Sequence, residues 1–230
     1  MVERPQTDPE FMPTLRRILA DGRNATRSNA DRIAALMSDY SIEVTPGQAA
    51  KVPDFRGALP QGTEVAVTFL PGSDWRHTVA TAKRLREEGM EPAPHVAARS
   101  IPDSAALDAY LGALAEQAGC DRAVALAGAV DKPLGKFTDS MRLLETGAFD
   151  RRGFRHVGVA GHPEGSPDIP AADAWAALKW KRDFAARTDM TMDVRTQFLF
   201  EAGPLIEWDR QLSEAGIDLP VRVGISGLAT

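Results

Sequence analysis

Cysteine, aromatic residues and clustered basic residues are all scarce in this chain of 230 residues. The single cysteine, Cys120, excludes an internal disulfide framework and a cysteine-rich zinc site, and we assign no metal. The 27 Lys and Arg are dispersed and outnumbered by 32 Asp and Glu, which argues against nucleic acid as a partner. No apolar stretch approaches the roughly 18 residues of a membrane span, and the start lacks the apolar core of a signal peptide. We therefore expect a cytoplasmic protein that binds neither nucleic acid nor membranes.

Short apolar runs alternate with longer stretches of helical period from residue 41 onward. This alternation predicts repeated βα units and a parallel sheet. The predicted strands span residues 41–45, 64–70, 93–97, 122–128, 156–161, 193–198 and 221–225. The predicted helices span residues 78–88, 104–118, 140–146, 171–186 and 204–214, and helix-capping glycines are expected at Gly89, Gly147 and Gly216.

Seven such strands predict an α/β fold of the (β/α)8 TIM-barrel type that lacks its last helix, strand and helix, because these barrels typically take about 250 residues. A doubly wound open sheet is the alternative. We divide the chain into a helical lead-in, residues 1–40, and a barrel domain, residues 41–230. An incomplete barrel would expose an edge strand and part of its core, so we expect a homo-oligomer.

Three polar residues lie in the predicted strands, near the carboxyl ends where barrels place their active sites. Alternation with Ile42 and Val44 points Glu43 into the barrel, where burial would raise its pKa and suit it to act as a general acid. A carboxylate held by a buried Arg or Lys is the alternative. His95 is either a structural or a functional histidine. The amide of Gln197 could bind the edge of a heterocycle.

These segments, taken in order, resemble the methylenetetrahydrofolate reductase family from about residue 41 to the end. No single motif is decisive, but six of them in register are fairly specific. The matching segments read SIEVTP at 41–46, VTF at 67–69, PHVAAR at 94–99, VGVAGHPE at 157–164, LKWK at 178–181 and TQF at 196–198.

The resemblance implies a barrel enzyme that reduces 5,10-methylenetetrahydrofolate to 5-methyltetrahydrofolate, with NADH or NADPH reducing a bound FAD. It implies that Glu43 protonates the folate nitrogen as the methylene bridge opens to an iminium ion. It also implies that Gln197 holds the pterin ring. Cofactor contacts are implied for Thr68, His95, His162 and Lys181.

Several positions depart from the family pattern. The fourth strand ends in Ala127-Gly128-Ala129 where the family has Arg-Gly-Asp, and Ala174 and Ala177 replace polar residues of the sixth-unit helix. Each lost charge-assisted hydrogen bond forfeits roughly 1.5–3 kcal/mol, which weakens the case for FAD. Direct hydride transfer from NAD(P)H to the folate, without flavin, is the alternative that the resemblance leaves open. The alternatives are a non-catalytic folate or pterin binder and a tetrahydrofolate-dependent methyl-transfer enzyme.

Overall fold

The computed structural model describes residues 28–227. Its first helix, α1 (Asn29–Leu36), begins at a capping box in which the Ser28 hydroxyl accepts the Asp31 N–H and the Asp31 carboxylate accepts the Ser28 N–H. This helix belongs to a first compact unit, and a second unit begins at Ser41. The rest of the predicted lead-in, residues 1–27, lies outside the described residues.

Seven parallel strands form one sheet in the second unit, and each pairs with the next strand in sequence. They are β1 (Ser41–Val44), β2 (Glu64–Val67), β3 (Glu91–Ala97), β4 (Arg122–Leu126), β5 (His156–Gly161), β6 (Thr191–Phe198) and β7 (Val221–Gly224). The seven predicted strands are confirmed, and the sequential order excludes a doubly wound sheet, whose strand order reverses.

Helices fill the connections between these strands. They are α2 (Pro46–Ala49), α3 (Trp75–Glu87), α4 (Ser104–Ala118), α5 (Ser140–Leu144), α6 (Ala148–Arg151), α7 (Ala171–Arg187) and α8 (Ala202–Glu214), with 3-10 turns at Phe55–Gly57 and Ala98–Ser100. Helix α3 begins three residues earlier than predicted, because the Asp74 carboxylate accepts the Arg76 N–H and caps it. No helix within residues 28–227 is long and apolar enough to cross a membrane.

The sheet is curled into an incomplete barrel. The Nη1 atom of Arg195 in β6 lies 2.8 Å from Oε1 of Glu64 in β2. These strands are four positions apart, and neighbouring strands are separated by about 4.8 Å, so a flat sheet would hold them about 19 Å apart. The contact therefore requires a concave face that carries both side chains. A complete (β/α)8 barrel is not confirmed, since β1 and β7 are the two edges of the described sheet.

The two faces of the sheet have different side chains. On the convex face, Ile42 and Val44 pack against a buried cluster that includes Val65, Val67 and Leu85 of α3. Side chains alternate along a strand, so the residues between them face inward. The inward positions include several small residues: Ala66, Ala93, Gly158 and Ala160. The concave face consequently has room for long polar side chains.

The loop after β4 is fixed to the turn after β3 at the carboxyl end of the sheet. The Leu134 N–H donates to the Arg99 carbonyl at 2.9 Å, and the Arg99 guanidinium donates to the Thr138 carbonyl at 3.0 Å. Gly135 passes so close to Pro102 that an added Cβ would stand only 2.5 Å from the Pro102 carbonyl carbon. The loop can adopt this path because position 135 has no side chain.

We expect Gly135→Ala to destabilise the protein by about 1–3 kcal/mol, because the colliding atoms belong to the backbone and cannot move aside. The free energy of unfolding in urea measures the change. Gly203→Ala is the control, since an added Cβ in α8 meets no atom within 4 Å and alanine favours a helix. Equal stability of the Gly135→Ala variant and the wild type would show that the loop relaxes freely.

Candidate functional site

Glu43 and Thr68 form a hydrogen-bonded pair on the concave face. The Thr68 hydroxyl donates to Glu43 Oε1 at 2.7 Å. Ile42 and Val44 pack on the convex face, so Glu43 between them faces inward as predicted. The predicted burial is wrong, because Glu43 lies on the edge strand β1 and its side chain is exposed. Glu43 therefore offers an exposed carboxylate, bonded to Thr68 through one oxygen, near the carboxyl end of the sheet.

His95, a predicted site residue, is a buried histidine of β3. Its side chain is 9% exposed, and its backbone carbonyl accepts the Tyr110 hydroxyl at 2.9 Å, which ties β3 to α4. Burial lowers the pKa of His95 to about 4; the Glu43 carboxylate opposes this shift and the Arg195 guanidinium adds to it. The imidazole is therefore neutral at neutral pH, and it shares the concave face with Glu43 and Arg195.

Lys181 and His162 form a second polar group, near the end of β5. The Lys181 side chain is 6% exposed, and its ammonium donates to the Ala160 carbonyl at 3.4 Å. Burial lowers the pKa of Lys181 to about 8, and the negative charge of Asp139 partly offsets this shift. Burial and the Lys181 charge both lower the pKa of His162. The two predicted cofactor contacts on this side therefore lie within electrostatic reach of each other.

Gln197 is the seventh residue of β6 and is exposed at the carboxyl end of the sheet. The backbone there is fixed, since the Thr196 hydroxyl donates to the Gln197 carbonyl at 2.8 Å and accepts the Gly224 N–H at 2.9 Å. The amide of Gln197 can therefore meet a ligand from a defined position. No structural contact joins it to Glu43, so a shared role for the two residues stays a prediction.

A buried ion-pair network on the concave face was missed from the sequence. It consists of Glu64, Arg122, His156, Asp193, Arg195 and Arg222. Three of these residues, Glu64, Arg122 and His156, are the first residues of their strands. The network therefore lies toward the amino end of the sheet, beneath the candidate site.

The two carboxylates of the network each contact more than one cation. Glu64 lies 2.8 Å from Arg195 and 3.0 Å from Arg122. Asp193 lies 2.8 Å from Arg222, 3.2 Å from Arg195 and 3.4 Å from His156. Burial alone would raise the pKa of Asp193, but the neighbouring His156 side chain and the arginine charges hold it well below its usual range. Both carboxylates are thus ionised at neutral pH.

Two of the side chains implied as flavin contacts by the sequence resemblance, Lys181 and Thr68, are already engaged within the protein. The ammonium of Lys181 is buried and bonded inward, and the Thr68 hydroxyl is bonded to Glu43. The segment after β4, residues 127–129, carries no charged side chain.

Two clefts of about 330 and 280 Å³ lie elsewhere on the molecule, one lined by Arg56 and Glu88 and the other by Trp75 and Lys83. Neither is lined by a predicted site residue. Within residues 28–227, no group of three or more His, Cys, Asp or Glu side chains could hold a metal ion.

The chain is similar to a known enzyme over most of its length. An alignment over 163 residues, which covers 66% of the chain, shows 28% identity to methylenetetrahydrofolate reductase 2 of Saccharomyces cerevisiae. The alignment covers 26% of the yeast protein, so the chain spans about a quarter of that relative. No family model matches the chain. This distant similarity is to the same family that the sequence motifs resemble.

The neutral state of His95 predicts an acid-dependent loss of stability. The folded pKa, about 4, lies below the ordinary value of 6.5, so the unfolded chain takes up a proton first as the pH falls. Stability is complete above pH 6.5 and is lost toward pH 4, by about 2 kcal/mol between pH 7 and pH 4.5. The measurement is the free energy of unfolding in urea at both pH values.

His95→Gln should reduce this pH dependence, whereas His77→Gln should preserve it, because His77 is exposed. If the His95→Gln variant lost as much stability between pH 7 and pH 4.5 as the wild type, the assignment of a neutral buried imidazole to His95 would be wrong.

Proposed function

We propose that the protein reduces 5,10-methylenetetrahydrofolate to 5-methyltetrahydrofolate with NAD(P)H as the hydride donor. The support comes from two sources: similarity in sequence, seen in the order of the six family-like segments and in the 28% identity to a yeast reductase, and the inward carboxylate of Glu43. The last of these carries the proposal, because the reaction requires an acidic group facing the substrate, and an exposed carboxyl group can take up its proton from solvent between turnovers.

Glu43 would donate a proton to the folate nitrogen as the methylene bridge opens, leaving an iminium ion. The C4 hydride of the reduced nicotinamide would then add to the methylene carbon, which yields the methyl group and the oxidised nicotinamide. The Thr68 hydroxyl, bonded to one carboxylate oxygen, orients the other toward the substrate. The step needs two bound partners in contact and one proton donor, and it uses no flavin.

His95 and Gln197 would complete the site without taking part in bond making. A neutral imidazole offers one hydrogen-bond donor and one acceptor, and it adds no positive charge beside the iminium ion. The Gln197 amide can pair with the donor and acceptor groups at the edge of a pterin. The second group, Lys181 and His162, lies near the end of β5, where a nicotinamide dinucleotide would approach the substrate.

The decisive experiment measures oxidation of NADH and of NADPH by the purified protein with methylenetetrahydrofolate, with and without added FAD. Activity in a colourless protein without FAD is the expected result. A yellow protein that requires FAD would support the flavin mechanism instead.

The uncharged segment at residues 127–129 favours a second candidate, a folate binder, and folate binding without nicotinamide oxidation would establish it. Methyl transfer without nicotinamide oxidation would indicate a methyl-transfer enzyme.

Glu43→Gln should lower kcat by about a hundredfold or more, because it removes the proton donor and keeps the shape of the side chain. The unfolding transition should stay unchanged, since the side chain is exposed. Glu87→Gln is the matched control, an exposed carboxylate on α3 whose loss should leave kcat unaltered. Near-normal turnover of Glu43→Gln would remove Glu43 from the mechanism.

A further inference from the structure

The ion pair between Arg195 and Glu64 joins the two walls of the concave face that carry different parts of the candidate site. Thr68 lies four residues beyond Glu64 at the end of β2, and Gln197 lies two residues beyond Arg195 in β6. A strand rises about 3.3 Å per residue, so these side chains stand about 13 and 7 Å from the pair along their strands. The pair therefore lies beneath both of them.

Arg195 is held in one orientation by contacts in two directions. Its Nη1 atom lies 2.8 Å from Glu64, and its Nε atom lies 3.2 Å from Asp193. The side chain is 14% exposed, and the two carboxylates raise the pKa of the guanidinium against the effect of burial. A planar guanidinium can bond to two carboxylates at once, whereas an ammonium is a single point charge.

The absence of a side chain at Gly158 of β5 leaves space for Arg195 to cross the concave face of the sheet. A Cβ at position 158 would stand 2.8 Å from Cδ and 2.9 Å from Cζ of Arg195. The arginine side chain thus crosses over bare backbone on its way from β6 toward β2. Because the guanidinium is fixed by its two carboxylates, it could not yield to a larger residue there without losing a contact.

We propose that Arg195 is a positioning residue that spans the concave face and sets the separation between the Glu43–Thr68 wall and the Gln197 wall. This inference rests on the proposed function, in which the folate is held between these walls. Apart from this pair, β2 and β6 are connected through the three strands between them. The curl of the sheet, and with it the width of the site, would relax once the pair is broken.

Stability alone cannot identify such a role. Removing one partner of a buried ion pair destabilises a protein because the other charge is left unpaired, whereas removing both charges is often neutral. A residue that acts only on stability would regain its function when both charges are removed. A positioning residue would not, since the span across the site is still missing. The comparison of kcat with stability in single and double variants separates the two roles.

The test uses Arg195→Gln, Gly158→Ala and the double variant Glu64→Gln/Arg195→Gln. We expect Arg195→Gln to lower kcat at least about tenfold with KM little changed, because the walls are misaligned in the reacting complex. Gly158→Ala should act in the same direction, since it displaces the arginine and keeps its charge. The double variant should recover part of the stability lost in Arg195→Gln, since Arg122 and Asp193 still lack one partner each, and it should keep the low kcat.

Arg210→Gln is the matched control, because Arg210 pairs with Glu207 and Glu214 on the exposed surface of α8. It should change neither kcat nor KM. Wild-type kcat in folded Arg195→Gln would overturn the proposal, and so would recovery of kcat in the double variant.

A distance measurement keeps the inference separate from the proposed function. Spin labels at the exposed positions 61 and 189, which precede β2 and β6, report the separation of the two walls in a Cys120→Ala background. We expect Arg195→Gln to lengthen or broaden the distance distribution. If the wild type shows no turnover with either nicotinamide, the proposed function fails and this distance alone decides. An unchanged distribution in Arg195→Gln overturns the positioning role.

Discussion

The contact between one guanidinium of β6 and one carboxylate of β2 constrains everything else in this sheet. Strands that would lie far apart in a flat sheet are brought together, and the strands between them must bend to allow it. The charges involved are removed from water, so the arrangement is stable only while each carboxylate contacts its cations. The same contact therefore affects the curvature of the sheet, the side chains that line its concave face and the protonation of the groups there.

The candidate site lies above this network and depends on its charge. The positive charge of Arg195 adds to the effect of burial in keeping His95 neutral, while Glu43 acts in the opposite sense. In the proposed reaction, Glu43 would act in its protonated form as the acid, and the neutral imidazole would add no charge beside the iminium ion. The distant similarity to a yeast reductase suggests folate one-carbon reduction, and Glu43 lies on the face where the proposal needs an acidic group.

Local patterns in the sequence predicted the local parts of the structure. Short β-branched or apolar runs marked all seven strands, and Gly89, Gly147 and Gly216 adopt the positive φ expected of residues that follow helices. Alternation gave the direction of Glu43, but its exposure depends on which strands flank β1, which no local pattern records. The ion-pair network was missed because Glu64 and Arg195 become neighbours only when the sheet curls. Charged residues at inward positions of several strands, as in Val221-Arg222-Val223, were the available signal.

Gly158 and Arg195 are distant in the sequence, but their contact makes the residue at each position depend on the other. The missing side chain of Gly158 matters only because an arginine passes over it, so the two residues constrain each other during divergence. A lineage with a short apolar residue at position 195 could accept a larger residue at 158, whereas one that keeps the arginine must keep the glycine. Aligned relatives should accordingly show these two positions changing together, and a lone replacement at either should be rare.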